Sequence, residues 1–286
     1  MLFFEKFKFD FVARTCPQTC VVADRCQQVG DDDAFSQSLV KIVVDCGYSA
    51  TWIVPILGVN ACFPKASKRV DVGGKLLTNL LKEELSWRQV NVMDDTYMVE
   101  KCKRDVCYVA KEWKTEKPSF VDYLLPDHSM DLLGRIVQSG TEEIDHDRRQ
   151  LIRIGQERIN VPEVLFAPSR IGLEEAGIAE AVYQCVMDLP WELQHQALSN
   201  VLITGGTSNI PGFVDRLRTQ LLGFGCSSVV DWSEHYQNSA WRGGALFANS
   251  EKFVNFAMSK KHYEEEGSLH RSTKKRKHVV EAWWEL

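Results

Sequence analysis

Three glycine turns hold the residues whose types and spacing could do chemistry. In VLITGGTSNIPG, residues 201–212, four β-forming residues run into Gly205-Gly206, then a polar cluster opening on Thr207, then Pro211 at the start of a helix. Two adjacent glycines remove both side chains, so backbone N–H groups beside a helix N-terminus can approach a phosphate or the edge of a sugar or base. The same turn also joins strands to helices in many α/β proteins that bind nothing there. KIVVDCGYSATWIVPI, residues 41–56, puts an acid, Asp45, at the end of an apolar strand two residues before Gly47. Such an acid can hold a hydrated metal ion, or cap its own turn through a side-chain oxygen. The third turn is Gly73-Gly74 in KRVDVGGKLLTNLLKEEL, residues 68–85. Glycine turns that each follow an apolar strand are what a nucleotide cleft between two α/β lobes needs.

The elements that must position these turns are legible around them. Residues 41–56 form a β-hairpin with a small-residue tip. After Gly73-Gly74, a helix puts Leu77, Leu81 and Leu85 on one face with Leu76 and Leu80 beside them. Asp94-Asp95 caps a further helix, in which Met98, Cys102, Val106 and Val109 recur at helical spacing. Residues 112–150 lose periodicity and turn polar, which predicts a surface insertion or mobile loop. Residues 151–163 read as two short strands about a turn, and residues 177–188 as an amphipathic helix. Phe213, Leu217 and Leu221 give the helix after the Gly205-Gly206 turn its buried face, and an apolar helix is expected to start at Ala245, beyond Gly243-Gly244. The N-terminal stretch is aromatic and helical in character (Phe3, Phe4, Phe7, Phe11).

Composition narrows the function classes. The 286 residues are 44% hydrophobic and 26% charged, enough to bury a sizeable core in two lobes. A net charge of -5 argues against a general nucleic-acid-coating surface. No apolar run reaches membrane-spanning length, so no membrane association is expected. Nine cysteines without a CxxC pair fit reduced core thiols in an intracellular protein. Cys16, Cys20 and Cys26 cluster without a fourth ligand or the usual zinc spacing, and no metal is expected. No Ser/His/Asp order, HExxH, GxxxxGK[ST] or GxGxxG motif occurs.

Taken in order, DCGYSATWIVP, RVDVGGKLLTNLLKEEL, CKRDVCYVA, VPEVLFAPSRIG, VLITGGTSNIPGFVDRL and AWRGGALFANSEKF resemble the second half of the actin and actin-related protein family. The resemblance covers most of residues 39–267. Within the family, residues 73–110 look most like the sixth class of actin-related proteins. The implied fold class is α/β, a partial actin-like fold of the actin, heat-shock chaperone and sugar-kinase type, two-lobed with β-sheets flanked by helices. Residues 36–74 and 162–230 would form the core lobe, and residues 75–161 an inserted subdomain with the loop 112–150. Residues 1–35 and 231–286 would be remnants of the first lobe, the latter ending in a basic tail. The resemblance also implies that the family's N-terminal third is missing, either from a shortened product or through an incomplete gene sequence.

Carried over residue by residue, the resemblance implies a vestigial or weak nucleotide site. Asp45 and Gly47 would lie on the second phosphate hairpin and Gly74 near the ribose. Lys103, Gly205, Gly206 and Thr207 would lie near the adenine and its phosphates. Nothing before Asp45 resembles the first phosphate hairpin. Tyr48 and Ser49 stand where the family has Asp-Gly, Trp52 where it has a histidine that positions the attacking water, and Arg104 where it has a ribose-binding glutamate. Asp10 is assigned the position of the catalytic glutamine. Phosphoryl transfer depends on positioning, so no catalytic residues, no ATPase activity and no required cofactor are expected, with ATP binding doubtful.

The sixth class implies a nuclear, non-catalytic subunit of a chromatin-remodelling complex that exchanges a variant histone into nucleosomes. Its implied partners are a remodelling ATPase subunit, a small zinc-finger subunit, and the nucleosome with its histones. Lys274-Lys275-Arg276-Lys277 is a candidate nuclear-localisation run, and equally a solvated tail. The alternatives are an ATP-binding or ATP-hydrolysing enzyme of the actin and sugar-kinase superfamily, and a cytoskeletal or dynactin actin-related protein.

Overall fold

A computed structural model describes residues 2–30, 33–58, 61–126, 134–137, 150–225, 229–232, 234–251 and 253–266. After a single helical turn, the chain enters a short strand β1 (Phe11–Val12) and helix α1 (Pro17–Val29), with Pro17 at the first helical position. The hairpin follows as β2 (Val40–Cys46) and β3 (Thr51–Leu57), then β4 (Ala61–Cys62) and β5 (Lys68–Val70). Two helices come next, α2 (Gly74–Arg88) and α3 (Thr96–Val106). A small sheet is built from β6 (Val121–Leu124), β7 (Arg135–Val137) and β8 (Leu151–Ile154), and α4 (Glu157–Glu163) follows it. The rest runs α5 (Ile178–Met187), α6 (Trp191–Ser199), β9 (Asn200–Thr204), α7 (Phe213–Gly223), β10 (Val229–Asp231), α8 (Ser239–Ala248), β11 (Met258–Ser259) and α9 (Lys260–Glu266).

The central sheet orders its strands β10-β9-β2-β3, with β4 and β5 both pairing with β3. Strand β2 pairs parallel with β9 and antiparallel with β3, which sets Asp45 between Thr204 and Trp52. Because side chains alternate along a strand, the sheet presents two apolar faces. Val40, Ile42, Val44 and Cys46 join Leu77, Leu81 and Leu85 of α2 and Leu217 and Leu221 of α7 in the large core. Val43, Val54, Ile56 and Leu202 meet Val21 and Val22 of α1 on the other face. Leu77, Leu81 and Leu85 are each fully buried, and each such leucine contributes roughly 1.5–3 kcal/mol. This spacing is what seats the Gly73-Gly74 turn against the hairpin.

The structure departs from the sequence expectations at five places. Within 112–150, expected to be loop, residues 121–124 and 135–137 are strands that sandwich with β8 in the order β7-β6-β8. Tyr123 anchors them, fully buried with its hydroxyl donating to Asp105 at 3.0 Å. Residues 151–163 hold one strand, not two, because Ile159, Pro162 and Glu163 are buried at helical i, i+3, i+4 spacing in α4. Pro162 inside α4 leaves the Arg158 carbonyl without its helical donor, and Tyr108 N supplies one at 3.0 Å. Asp95 takes the N-cap position of α3 but caps with its carbonyl, accepting from Val99 N at 3.0 Å, and makes no side-chain cap. Val109 lies beyond the end of α3 and is buried through a different contact, its N–H donating to Pro211 O at 2.8 Å. Gly243 and Gly244 lie inside α8 rather than before it, since the helix starts at Ser239 and stops at Ala248. A Cβ on Gly243 would come within 1.9 Å of the Cys20 carbonyl, so the bare backbone lets α8 cross directly over α1. Arg242 reinforces that crossing with an ion pair to buried Asp24, Nη2 to Oδ2 2.8 Å.

Candidate functional site

Six of the seven residues assigned to the nucleotide site come together around the hairpin tip. The Gly47 carbonyl accepts from Gly74 N at 3.1 Å and from Thr207 Oγ1 at 2.9 Å. One residue on, Tyr48 O accepts from Lys75 N at 2.8 Å, so the start of α2 is bonded to the β2–β3 turn. Lys103, reaching across from α3, donates to Gly74 O at 2.9 Å and to Thr78 Oγ1 at 2.8 Å. Gly205 packs its Cα against β2: its φ of +94° lies in the left-handed region, and a Cβ would lie 2.3 Å from Cys46 O. A Cβ at Gly206, in contrast, would meet nothing within 4 Å.

Asp45, the seventh, lies on the same strand but faces α1. Its Oδ2 accepts from Gln18 Nε2 at 2.8 Å, and Gln18 Oε1 in turn accepts from the Cys16 thiol at 2.9 Å. Burial raises the Asp45 carboxyl above its ordinary range, while the Gln18 amide pulls it back toward the charged form. Gln18 belongs to no sequence motif. The available signal is Pro17, which fixes the helix start and so puts Gln18 one turn before Val21 and Val22 on the buried face. Asp10, assigned the position of the catalytic glutamine, is exposed in the segment before β1, where its carbonyl accepts from Lys260 N at 2.8 Å, and the side chain that meets Asp45 is Gln18.

The electrostatics of the cluster point inward. Lys103 is buried, desolvation holds its ammonium below the usual lysine range, and two of its three N–H bonds are engaged with the chain's own oxygens. Thr207 directs its hydroxyl proton at Gly47 O. The exposed Tyr48 ring lies against Gly74, where a Cβ would stand 3.3 Å from Tyr48 Cδ2. Trp52, opposite Asp45, is exposed with the Arg69 guanidinium 5.5 Å from its ring centre, and Arg104 pairs with Glu100 on the surface of α3. A triphosphate needs several outward-facing cationic or N–H donors in one place. Lys103, Thr207 and Gly74 N, the donors carried over to this site, all turn onto the chain's own carbonyls, so these residues do not fit a phosphate chain. Among the described residues, no group of three or more His, Cys, Asp or Glu side chains could hold a metal ion, and no helix is long and apolar enough to cross a membrane. The basic run Lys274 to Lys277 lies outside the described residues.

A central mixed sheet with a glycine-tipped hairpin, and a second glycine turn meeting it from the parallel neighbour strand, define an actin-like α/β protein. The actin family profile matches residues 2–276, and the chain belongs to the actin family. Within that family it is similar to "Actin-related protein 6" of Drosophila melanogaster, 36% identical over 93% of this chain and 70% of the relative. It is likewise similar to "Actin-like protein ARP6" of Yarrowia lipolytica, at 33% over 79% of this chain and 60% of the relative. "Actin-related protein 6" of Arabidopsis thaliana matches at 30% over 93% of this chain and 70% of the relative. These relatives agree with the sixth-class resemblance, and the chain spans only part of the length of each.

Proposed function

We propose that the chain serves as a non-catalytic actin-related subunit of a nuclear chromatin-remodelling complex that exchanges a variant histone into nucleosomes. The observation that carries this reading is the inward-turned glycine cluster, in a chain whose animal, fungal and plant relatives share one actin-related class. In this reading the cluster is a structural joint: it locks the β2–β3 turn, the start of α2 and the Gly205-Gly206 turn into one rigid block. The block presents the surrounding surfaces to a remodelling ATPase subunit, a small zinc-finger subunit and the histones of the nucleosome. The role needs no turnover.

The second reading, an ATP-hydrolysing enzyme, draws on the contact of Gln18 with Asp45, since a glutamine beside a carboxylate can orient a water. Calorimetric titration of the purified full chain with ATP and magnesium separates the two. The scaffold reading expects no saturable heat at submillimolar nucleotide. Micromolar affinity would favour the enzyme.

A further inference from the structure

The buried stripe of α2, Leu77, Leu81 and Leu85, leaves an outer face on which Leu80, Glu83, Glu84 and Trp87 follow one another at three- and four-residue spacing. Trp87, in the last helical turn, is 90% exposed, more than any other large apolar residue described. With Met93 from the turn beyond the helix, these residues line an open cavity of about 710 Å³. That volume is in the range of binding sites, and its openness to solvent suits side chains laid across it better than an enclosed small molecule.

The groove is held in shape by the chain itself. Ser86 Oγ accepts from Val92 N at 3.0 Å, and Val92 is buried. The ammonium of buried Lys82 turns away from the groove face, donating to Met93 O at 3.1 Å and to Thr96 Oγ1 at 2.6 Å. A partner therefore meets a wall that is already ordered. The charge of the groove is one-sided. Arg88, the cation of the lining, is engaged by Glu84 at 3.6 Å and by Glu157 at 2.6 Å. Glu83 is exposed and has no ion pair among the described residues, and the exposed Asp94 and Asp95 follow directly on Met93.

We propose that this groove docks a basic segment of a partner polypeptide. A lysine or arginine of that segment lays its methylenes on Leu80 and Met93 and sets its cation against the Trp87 ring and the Glu83 carboxylate. Leu80 and Met93 alone would accept any apolar group. The carboxylates make the choice of partner, favouring a cationic segment and repelling an acidic or phosphate-bearing one. The site lies at the other end of α2 from the Gly73-Gly74 turn, so the state of the glycine cluster does not enter.

The test is fluorescence anisotropy with the purified full chain and a fluorescein-labelled peptide, three repeats of Lys-Leu-Lys-Ala, against its counterpart with glutamate for lysine. The lysine peptide should bind saturably and lose affinity as salt rises, and the glutamate peptide should not bind. Trp87→Ser should weaken binding about fivefold or more, and Glu83→Lys about tenfold or more, while Glu264→Lys on α9, the same change of charge elsewhere, should leave most of it. Circular dichroism confirms that each variant is folded. Any one of four results would overturn the proposal. These are no saturable binding by the parent, equal binding of the glutamate peptide, undiminished binding by folded Trp87→Ser, and a loss in Glu264→Lys as large as in Glu83→Lys. Self-association of the parent that Trp87→Ser abolishes would also overturn it, by giving the groove to a second copy of the chain.

Discussion

Gln18 Nε2 donates to Asp45 Oδ2 at 2.8 Å, tying the first turn of α1 to the end of the central strand β2. The carboxyl beneath that bond is raised from its ordinary 3.8 by burial. An acid whose folded pKa lies above its unfolded value disfavours the fold when ionised. Stability is therefore lost as pH rises through the window that opens near 3.8 and closes at the raised folded value. Asp45→Asn keeps an acceptor for Gln18 and removes the charge. Thermal unfolding should show Asp45→Asn more stable than the parent at pH 7, with the advantage gone near pH 3. Gln18→Ala should cost roughly 1.5–3 kcal/mol at pH 7, the range for a bond to a charged group. A less stable Asp45→Asn at neutral pH would contradict this account of the site.

The two glycines of the opening turn should respond in opposite ways. Gly205 has φ +94 and would set a Cβ 2.3 Å from Cys46 O, so Gly205→Ala meets backbone that cannot yield. Its expected cost in urea unfolding is about 3 kcal/mol or more. Gly206 has open space around its Cβ position, and Gly206→Ala should stay within about 1 kcal/mol of the parent.

The crossing of α8 over α1 predicts a second such contrast. Gly243→Ala would drive a methyl to 1.9 Å from Cys20 O and separate the two helices, with a large loss of stability. Gly244 faces open space inside the helix, so Gly244→Ala should stabilise by roughly 0.5–1 kcal/mol. Arg242→Ala leaves the Asp24 carboxylate, 6% exposed, with Gln28 but without its cation. Discounted for the partial exposure of the arginine, the expected cost is about 2–3 kcal/mol by chemical denaturation.

For the nuclear reading, replacing Lys274, Lys275, Arg276 and Lys277 by alanine in a fluorescent fusion should reduce nuclear accumulation when import through partners is blocked. Unchanged import under that block would remove the basic run from the account.

Much of the fold is readable where one face of an element is uniformly apolar. Val40, Ile42 and Val44 alternate with Lys41, Val43 and Asp45, and Leu77, Leu81 and Leu85 repeat at helical spacing, so both elements declare themselves. Strands of three or four residues in a polar stretch do not, and β6 is held by tertiary burial of Tyr123 rather than by any pattern of its own. The glycines of α8 mislead for a related reason: a Gly-Gly pair reads as a turn, and only the approach of α1 shows that close packing is their use. At the site, the glycine turns are legible because their chemistry is in the backbone. The direction of a long side chain is not. Lys103 turns inward, and Gln18 reaches Asp45, because packing of α3 and α1 decides it.

Purification of the tagged full chain from the cells that make it, with quantitative mass spectrometry of its companions and an assay of variant-histone exchange, tests the central proposal most directly. A remodelling ATPase, a small zinc-finger subunit and the variant histone should co-purify in fixed proportion, and complexes depleted of the chain should exchange the histone more slowly. Recovery with filament or dynactin components instead, or exchange undiminished by its removal, would contradict the assignment.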